Sequence, residues 1–221
     1  MVALFVVLTI IFFIILDILI QKFSKKEISQ ATALKKSNDE FVRLPKGVFF
    51  YPGHTWAQIH PSGNVTVGVD DFVQKVVGQI DEIKTEPVGS TVKQGQKLIQ
   101  VCQKNRVLEF ASPVDGTVIQ INDQILKDPT SMKENIYQAG WIYEIKPANI
   151  SLNLPRLLIG EKSIAWIKSE LSRFRDFLQS PALNPVMVGQ TLQDGGQPVH
   201  GLLEQFNDEN WSKFQKEFLQ K

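Results

Sequence analysis

Residues Val2 to Leu16 (VALFVVLTIIFFIIL) carry no charge and a single hydroxyl, Thr9, and beyond Asp17 the apolar character continues through Ile18, Leu19 and Ile20. A run of about 20 such residues is the length a helix needs to cross the hydrocarbon core of a bilayer. A secretory signal peptide has a basic start, a shorter apolar run and a small-residue cleavage site. None of these is evident, so residues 1–21 are expected to form an uncleaved transmembrane anchor. Asp17 falls near the end of the span, where water is within reach. No basic side chain precedes the run, whereas Lys22, Lys25, Lys26, Lys35 and Lys36 follow it closely. Positive residues stay cytoplasmic. The expected topology is therefore single-pass in the plasma or inner membrane, N-terminus out and the body at the cytoplasmic face. Residues 22–47 read as a basic, polar spacer.

Composition narrows what that body does. Across 221 residues, 24 basic side chains face 23 acidic ones, a net charge of +1, which argues against a nucleic-acid binder held by a broad basic face. Cys102 is the single cysteine, excluding a disulfide framework and any cysteine-rich metal cage. The histidines, at 54, 60 and 200, are scattered, and no histidine-built metal site is expected. Gly195-Gly196 lacks the strand–turn–helix setting of a nucleotide fingerprint. No nucleophile–base constellation and no phosphate loop is found, so the chain does not read as an enzyme.

From Val48 to about Pro147 short β-branched runs alternate with Gly, Pro, Asn and Asp. Trp56–His60, the turn Pro61-Ser62-Gly63-Asn64 and Val65–Val69 form a hairpin pattern. Asp70 or Asp71 then caps a helical turn over Phe72–Val77. Further strands are expected at Gly78–Lys84, Lys97–Cys102, Arg106–Phe110, Gly116–Asn122 and Trp141–Lys146, with a second short helix from Gln124 to Lys127. Frequent short strands with turns between them predict a sandwich or flattened barrel.

Four elements occur in order: Gly53-His54-Thr55-Trp56, Gly89-Ser90-Thr91-Val92-Lys93-Gln94-Gly95, Ser112-Pro113-Val114-Asp115-Gly116-Thr117-Val118 and Gly140-Trp141-Ile142-Tyr143-Glu144-Ile145-Lys146. Together they resemble the glycine cleavage H proteins, within the wider group of lipoyl and biotinyl carrier domains. The resemblance covers residues 48–150. It implies a mainly β, lipoyl-like barrel-sandwich hybrid, a hammerhead of two small sheets with short helices. In this chain the hammerhead would follow a transmembrane helix and precede a mainly helical C-terminal extension, residues 151–221. It also implies a tight hairpin whose tip lysine carries lipoate on an amide, a long arm on an exposed turn. Gly89 and Gly95 are expected where a Cβ would clash, and Pro113 and Gly116 where the chain returns.

In the family the arm-bearing lysine lies eight residues before the proline of Ser-Pro-Val-x-Gly. Here that position is Asn105, and the acidic residue expected three positions earlier is Cys102. A carboxamide cannot be acylated with lipoate, although asparagine suits a tight turn because it tolerates left-handed backbone. Lys104, one residue earlier, is the alternative acceptor, against its reading as an ordinary solvated lysine. The expected cofactor is accordingly none, with lipoate on Lys104 as the alternative. This leaves two functional readings. One is a membrane-anchored, non-catalytic scaffold or complex subunit for protein partners, such as a lipoate-linked or redox enzyme complex. The other is a working aminomethyl or acyl carrier modified at Lys104.

The remaining residues have plainer readings. His54 and Trp56 are expected to pack, His60 to be solvated, and Cys102 to act as a small buried hydrophobe. Asp70-Asp71 read as a helix cap with a neighbouring surface charge. In Glu161–Gln179, Ile164, Ile167, Leu171, Phe174 and Leu178 recur at helical spacing. Val186-Met187-Val188 could pair as a short strand. Asn207–Leu219 places Trp211, Phe214 and Phe218 on one side. These two helices are expected to pack on the barrel or each other, the alternative being an aromatic face that docks a partner or lies on a membrane.

Overall fold

The residues on either side of Pro61-Ser62-Gly63-Asn64 close into the expected hairpin: β2 (Thr55–Ile59) pairs antiparallel with β3 (Val65–Val69), with Ala57 opposite Val67. The structure, a computed structural model, describes residues 42–133, 135–180 and 200–220. The apolar run 2–20, most of the basic spacer, Val186–Val188 and Gly195-Gly196 lie outside the described residues. Among the described residues no helix is long and apolar enough to cross a membrane.

Two antiparallel sheets make the body. The larger has the order β1 (Phe49–Tyr51), β2, β3, β9 (Tyr143–Pro147), β8 (Gly116–Ile121), β5 (Thr91–Val92). The smaller has the order β4 (Glu82–Thr85), β6 (Lys97–Gln103), β7 (Arg106–Ala111). Val67, Val118, Tyr143 and Ile145 from the first share one buried cluster with Ile99, Val101, Leu108 and Phe110 from the second. Polar groups fasten the sheets as well. The Tyr143 hydroxyl accepts from the Glu86 N–H at 2.5 Å and donates to the Leu98 carbonyl at 3.1 Å. Burial pushes this phenol up to about 12, so it remains a donor at any physiological pH. Thr55 Oγ1 donates to the Ala111 carbonyl at 3.0 Å across the same gap.

The expected strand over Gly78–Lys84 begins only at Glu82. The Gln103 carboxamide donates to the Val77 and Gln79 carbonyls at 2.7 and 2.6 Å, which keeps Gly78–Asp81 as a connection rather than a ladder. Strands β1 and β5 were not expected. At three and two residues they carry too little periodicity to announce themselves and exist through their pairing partners.

Helix α1 (Asp71–Val77) starts where Asp70 accepts from the Val73 N–H at 3.1 Å, a cap worth about 1 kcal/mol. Helix α2 (Asp123–Lys127) is capped by Asn122, and α3 (Ile150–Asn153) by Asn149. The fold is mainly β with short helices, and its C-terminal part is helical. There α4 (Glu161–Leu178) and α5 (Asp208–Phe214), which runs on into a π turn over Gln215–Leu219, meet on their apolar sides. Phe174 stands edge-on to Phe72 at 5.3 Å and to Phe218 at 5.7 Å, and Phe214 stacks on Phe218 at 5.1 Å. Trp211, Phe214 and Phe218 are buried. The alternative of an aromatic docking or membrane face is therefore corrected: the rings are consumed internally.

Gly116 shows the close-approach use of glycine. A Cβ built on it would lie 2.3 Å from the Lys146 carbonyl oxygen, a backbone atom of the paired strand that cannot swing away. Gly116→Ala is expected to cost roughly 2–3 kcal/mol, read as a lowered urea midpoint with an unchanged slope. Gly89, by contrast, has open space around it but a φ of +92°. The expected clash there is internal to the residue, not with a neighbour.

Candidate functional site

The β6–β7 hairpin ends in a two-residue turn, Lys104-Asn105, between the paired residues Gln103 and Arg106. Both turn residues are exposed. The left-handed residue is Lys104, at φ +53°, not Asn105. A two-residue hairpin loop matches the strand twist only with a positive φ at its first central position, and that position is Lys104. The strain of a non-glycine residue there, of order 1–2 kcal/mol, is offset by the Lys104 N–H, which donates to Asp81 Oδ2 at 2.6 Å. Two residues before the turn, Cys102 is buried with its thiol unpaired, and burial pushes that thiol up.

The far side of the hairpin is held by the C-terminal segment. Arg106 Nε donates to Asp208 Oδ1 at 2.9 Å, and its guanidinium lies 5.4 Å from the centre of the Trp211 ring. Trp211 Nε1 donates to the Val107 carbonyl at 3.2 Å. Chemically, the tip presents two side chains to solvent, the Lys104 amine and the Asn105 carboxamide. That carboxamide offers no nucleophilic nitrogen. The amine available at the turn belongs to Lys104.

A second polar constellation lies inside the molecule. His54 is fully buried, in a left-handed conformation at φ +62°. Its Nδ1 is 2.7 Å from Asp70 Oδ2, and its Nε2 is 3.8 Å from Glu170 Oε2, an ion-pair distance too long for a hydrogen bond. The ring is sandwiched between Phe72 and Trp166 at 4.7 and 5.0 Å. Glu170 is in turn bidentate to Arg173 Nη1 at 2.6 and 2.7 Å. Burial alone would lower the imidazole, but the Asp70 carboxylate and then Glu170 more than reverse this, raising it to about 9. Burial likewise pushes Glu170 up, yet His54 and Arg173 hold its carboxyl below the usual glutamate value. The result is a chain of contacts, buried at Asp70, His54 and Glu170 and reaching the half-exposed Arg173, that ties α1 and the β1–β2 turn to α4.

His54 was expected to pack, and it does, but as an imidazolium. The signal for this was Glu170, a carboxylate set three residues after Ile167 and four before Phe174, inside the apolar stripe of α4. Asp71 corrects another expectation. It is 2 % exposed rather than a surface charge, accepting from the Arg43 N–H at 2.7 Å and from Lys75 Nζ at 2.9 Å. His60 is half-buried, 3.0 Å from Thr66 Oγ1, rather than solvated. Among the described residues no group of three His, Cys, Asp or Glu side chains is placed to hold a metal ion.

Comparison with known proteins puts this geometry in context. The model of the glycine cleavage H-protein family matches residues 48–170. A probable glycine cleavage system H protein of Pyrococcus abyssi is 35% identical over 127 residues, covering 58% of this chain and 94% of that protein. Glycine cleavage system H protein 2 of Aquifex aeolicus is 29% identical over 131 residues, covering 59% of this chain and 81% of that protein. A crystal structure of a glycine cleavage system H protein from Mycobacterium marinum aligns with a TM-score of 0.48 at 22% identity, over 57% of this chain and 98% of that one. With more than half of its length matched by the family model, the chain belongs to the glycine cleavage H-protein family.

Proposed function

We propose that this member of the H-protein family is a non-catalytic scaffold or complex subunit that presents its lipoyl-type domain without the lipoyl arm. Asn105 at the arm position supports this reading: the tip hairpin keeps its shape while the acylatable amine is replaced by a carboxamide. The proposed placement is a single-pass anchor over residues 1–21 with the body at the cytoplasmic face, a reading supported by the apolar run and by the lysines that follow it. Its proposed partners are proteins, of the lipoate-linked or redox enzyme class that an H-protein surface would meet. A second reading is favoured by one observation, the exposed side chain of Lys104 at the same turn. In it the chain is a working lipoyl carrier modified one residue early.

Peptide mapping across residues 98–112, on protein purified from its native membrane, separates the two readings. The expected result is an unmodified peptide from cells whose other carrier proteins are lipoylated. A lipoyl adduct on Lys104 would overturn the scaffold reading. Asn105→Lys is expected to restore modification, from none to a detectable fraction of the protein, because it returns the amine to the second turn position. A reporter fused after Lys221 that is active only outside the cytoplasm would reverse the topology.

A further inference from the structure

A cleft of about 450 Å³ opens beside the start of the described chain, walled by Arg43 and Lys46, by Asp71 and Lys75 of α1, and by Lys133 and Tyr137 of the loop before β9. Its volume falls in the range of small-ligand sites. Among the described residues that line it, four cationic side chains stand with one carboxylate, Asp71, in a chain whose overall net charge is only +1. The charge is therefore concentrated at this place and is not a sample of the average surface.

The floor of the cleft is already satisfied. Asp71 is bound by the Arg43 N–H and by Lys75 Nζ, at 2.7 and 2.9 Å. The Tyr137 hydroxyl uses both its roles, accepting from the Asp71 N–H at 3.2 Å and donating to the Arg43 carbonyl at 2.7 Å. Asp71 thus neutralises Lys75, and the carboxylate is not free to repel an incoming anion. The rim is the opposite. Arg43, Lys46 and Lys133 are exposed, and among the described residues none of them has an ion-pair partner. A guanidinium fork and two ammonium groups lining one opening suit an anion of more than one charge with several acceptor oxygens.

We propose that this cleft binds a phosphate group, carried by a small phosphate monoester or by a phospholipid headgroup. The two sources share one chemistry at the rim, and they differ in the group to which the phosphate is esterified.

The test uses the full chain in a neutral detergent at low ionic strength, where such contacts are least screened. Isothermal titration is run with inorganic phosphate and, separately, with monomeric dihexanoyl phosphatidic acid. The expected result is saturable binding, weakened about tenfold or more in the double variant K46Q/K133Q, consistent with losing charge-assisted hydrogen bonds. The double variant K162Q/K168Q, at exposed lysines of α4, is expected to bind as the parent does. Binding of both probes with the same loss assigns the site to phosphate itself. Binding of phosphatidic acid alone, with that loss, assigns it to a lipid headgroup. No saturable binding of either probe, or binding that K46Q/K133Q leaves unchanged, overturns the proposal. Neither lysine makes an ion pair among the described residues, so an unaltered thermal transition confirms that the variant remains folded.

Discussion

Replacing His54 with alanine is expected to destabilise the protein by about 3–5 kcal/mol, because Asp70 and Glu170 are left facing a cavity without their shared cation. For a folded unit of this size the loss corresponds to a fall of order 10 °C in Tm. Thermal unfolding followed by near-ultraviolet circular dichroism reads it directly, and a loss under about 1 kcal/mol would remove the ion pair from the account. The same group gives stability a pH dependence of definite sign. The folded protein holds a proton on His54 up to about 9, whereas the unfolded chain releases it near 6.5. Between these values the unfolded state binds fewer protons, so stability falls as pH rises. The contribution is fully present below about 6.5 and gone above about 9, an effect of order 3 kcal/mol. His54→Gln should flatten that alkaline slope. On the acid side Glu170 acts in the other direction: its carboxyl is held below 4.5, and its contribution is lost as pH drops through that lowered value.

Ending the chain at His200 is expected to have a still larger effect. The deletion removes Leu202, Leu203, Phe206, Trp211, Phe214 and Phe218, each no more than 4 % exposed. It also uncovers Phe72, Phe174 and Phe177, against which those side chains pack. Removing even one such aromatic side chain costs about 3–5 kcal/mol, which is comparable to the whole stability of many domains. The truncated chain should lose its near-ultraviolet signal, bind a hydrophobic dye and aggregate on size exclusion. A monodisperse, cooperatively melting product would show that the barrel and α4 stand without residues 201–221. The model of the H-protein family matches residues 48–170, so the dependence sits beyond the segment that model matches.

The elements that proved legible in the sequence are those with their own periodicity. The β2–β3 hairpin announces itself through alternation around a glycine-containing turn, and α4 through apolar residues at three- and four-residue spacing. The caps of α1, α2 and α5 are also local: Asp70, Asn122 and Asn207 each bond an N–H two or three residues ahead. What stayed hidden depends on distant partners. Strand β1 is recognisable only beside β2, and β5 only beside β8. The tip was found by counting back from Pro113, yet which of its two residues turns left-handed is decided by the twist of β6 and β7. His54 is the clearest case. One partner lies sixteen residues away and the other on a helix beyond the last strand, so no window of sequence around it displays the charge it carries.

The tip hairpin, finally, is braced on both flanks, by Asp81 on the β4 side and by Asp208 and Trp211 on the α5 side. A loop braced in this way has little conformational freedom left to surrender. A partner that grips it meets a shape already formed, so almost none of the contact energy is consumed in ordering the turn. A single turn offers far less area than a standard protein interface, so a partner gripping it would depend on that economy. The exposed two-residue loop is a preformed finger, and any recognition at its end would be a matter of fit rather than of folding.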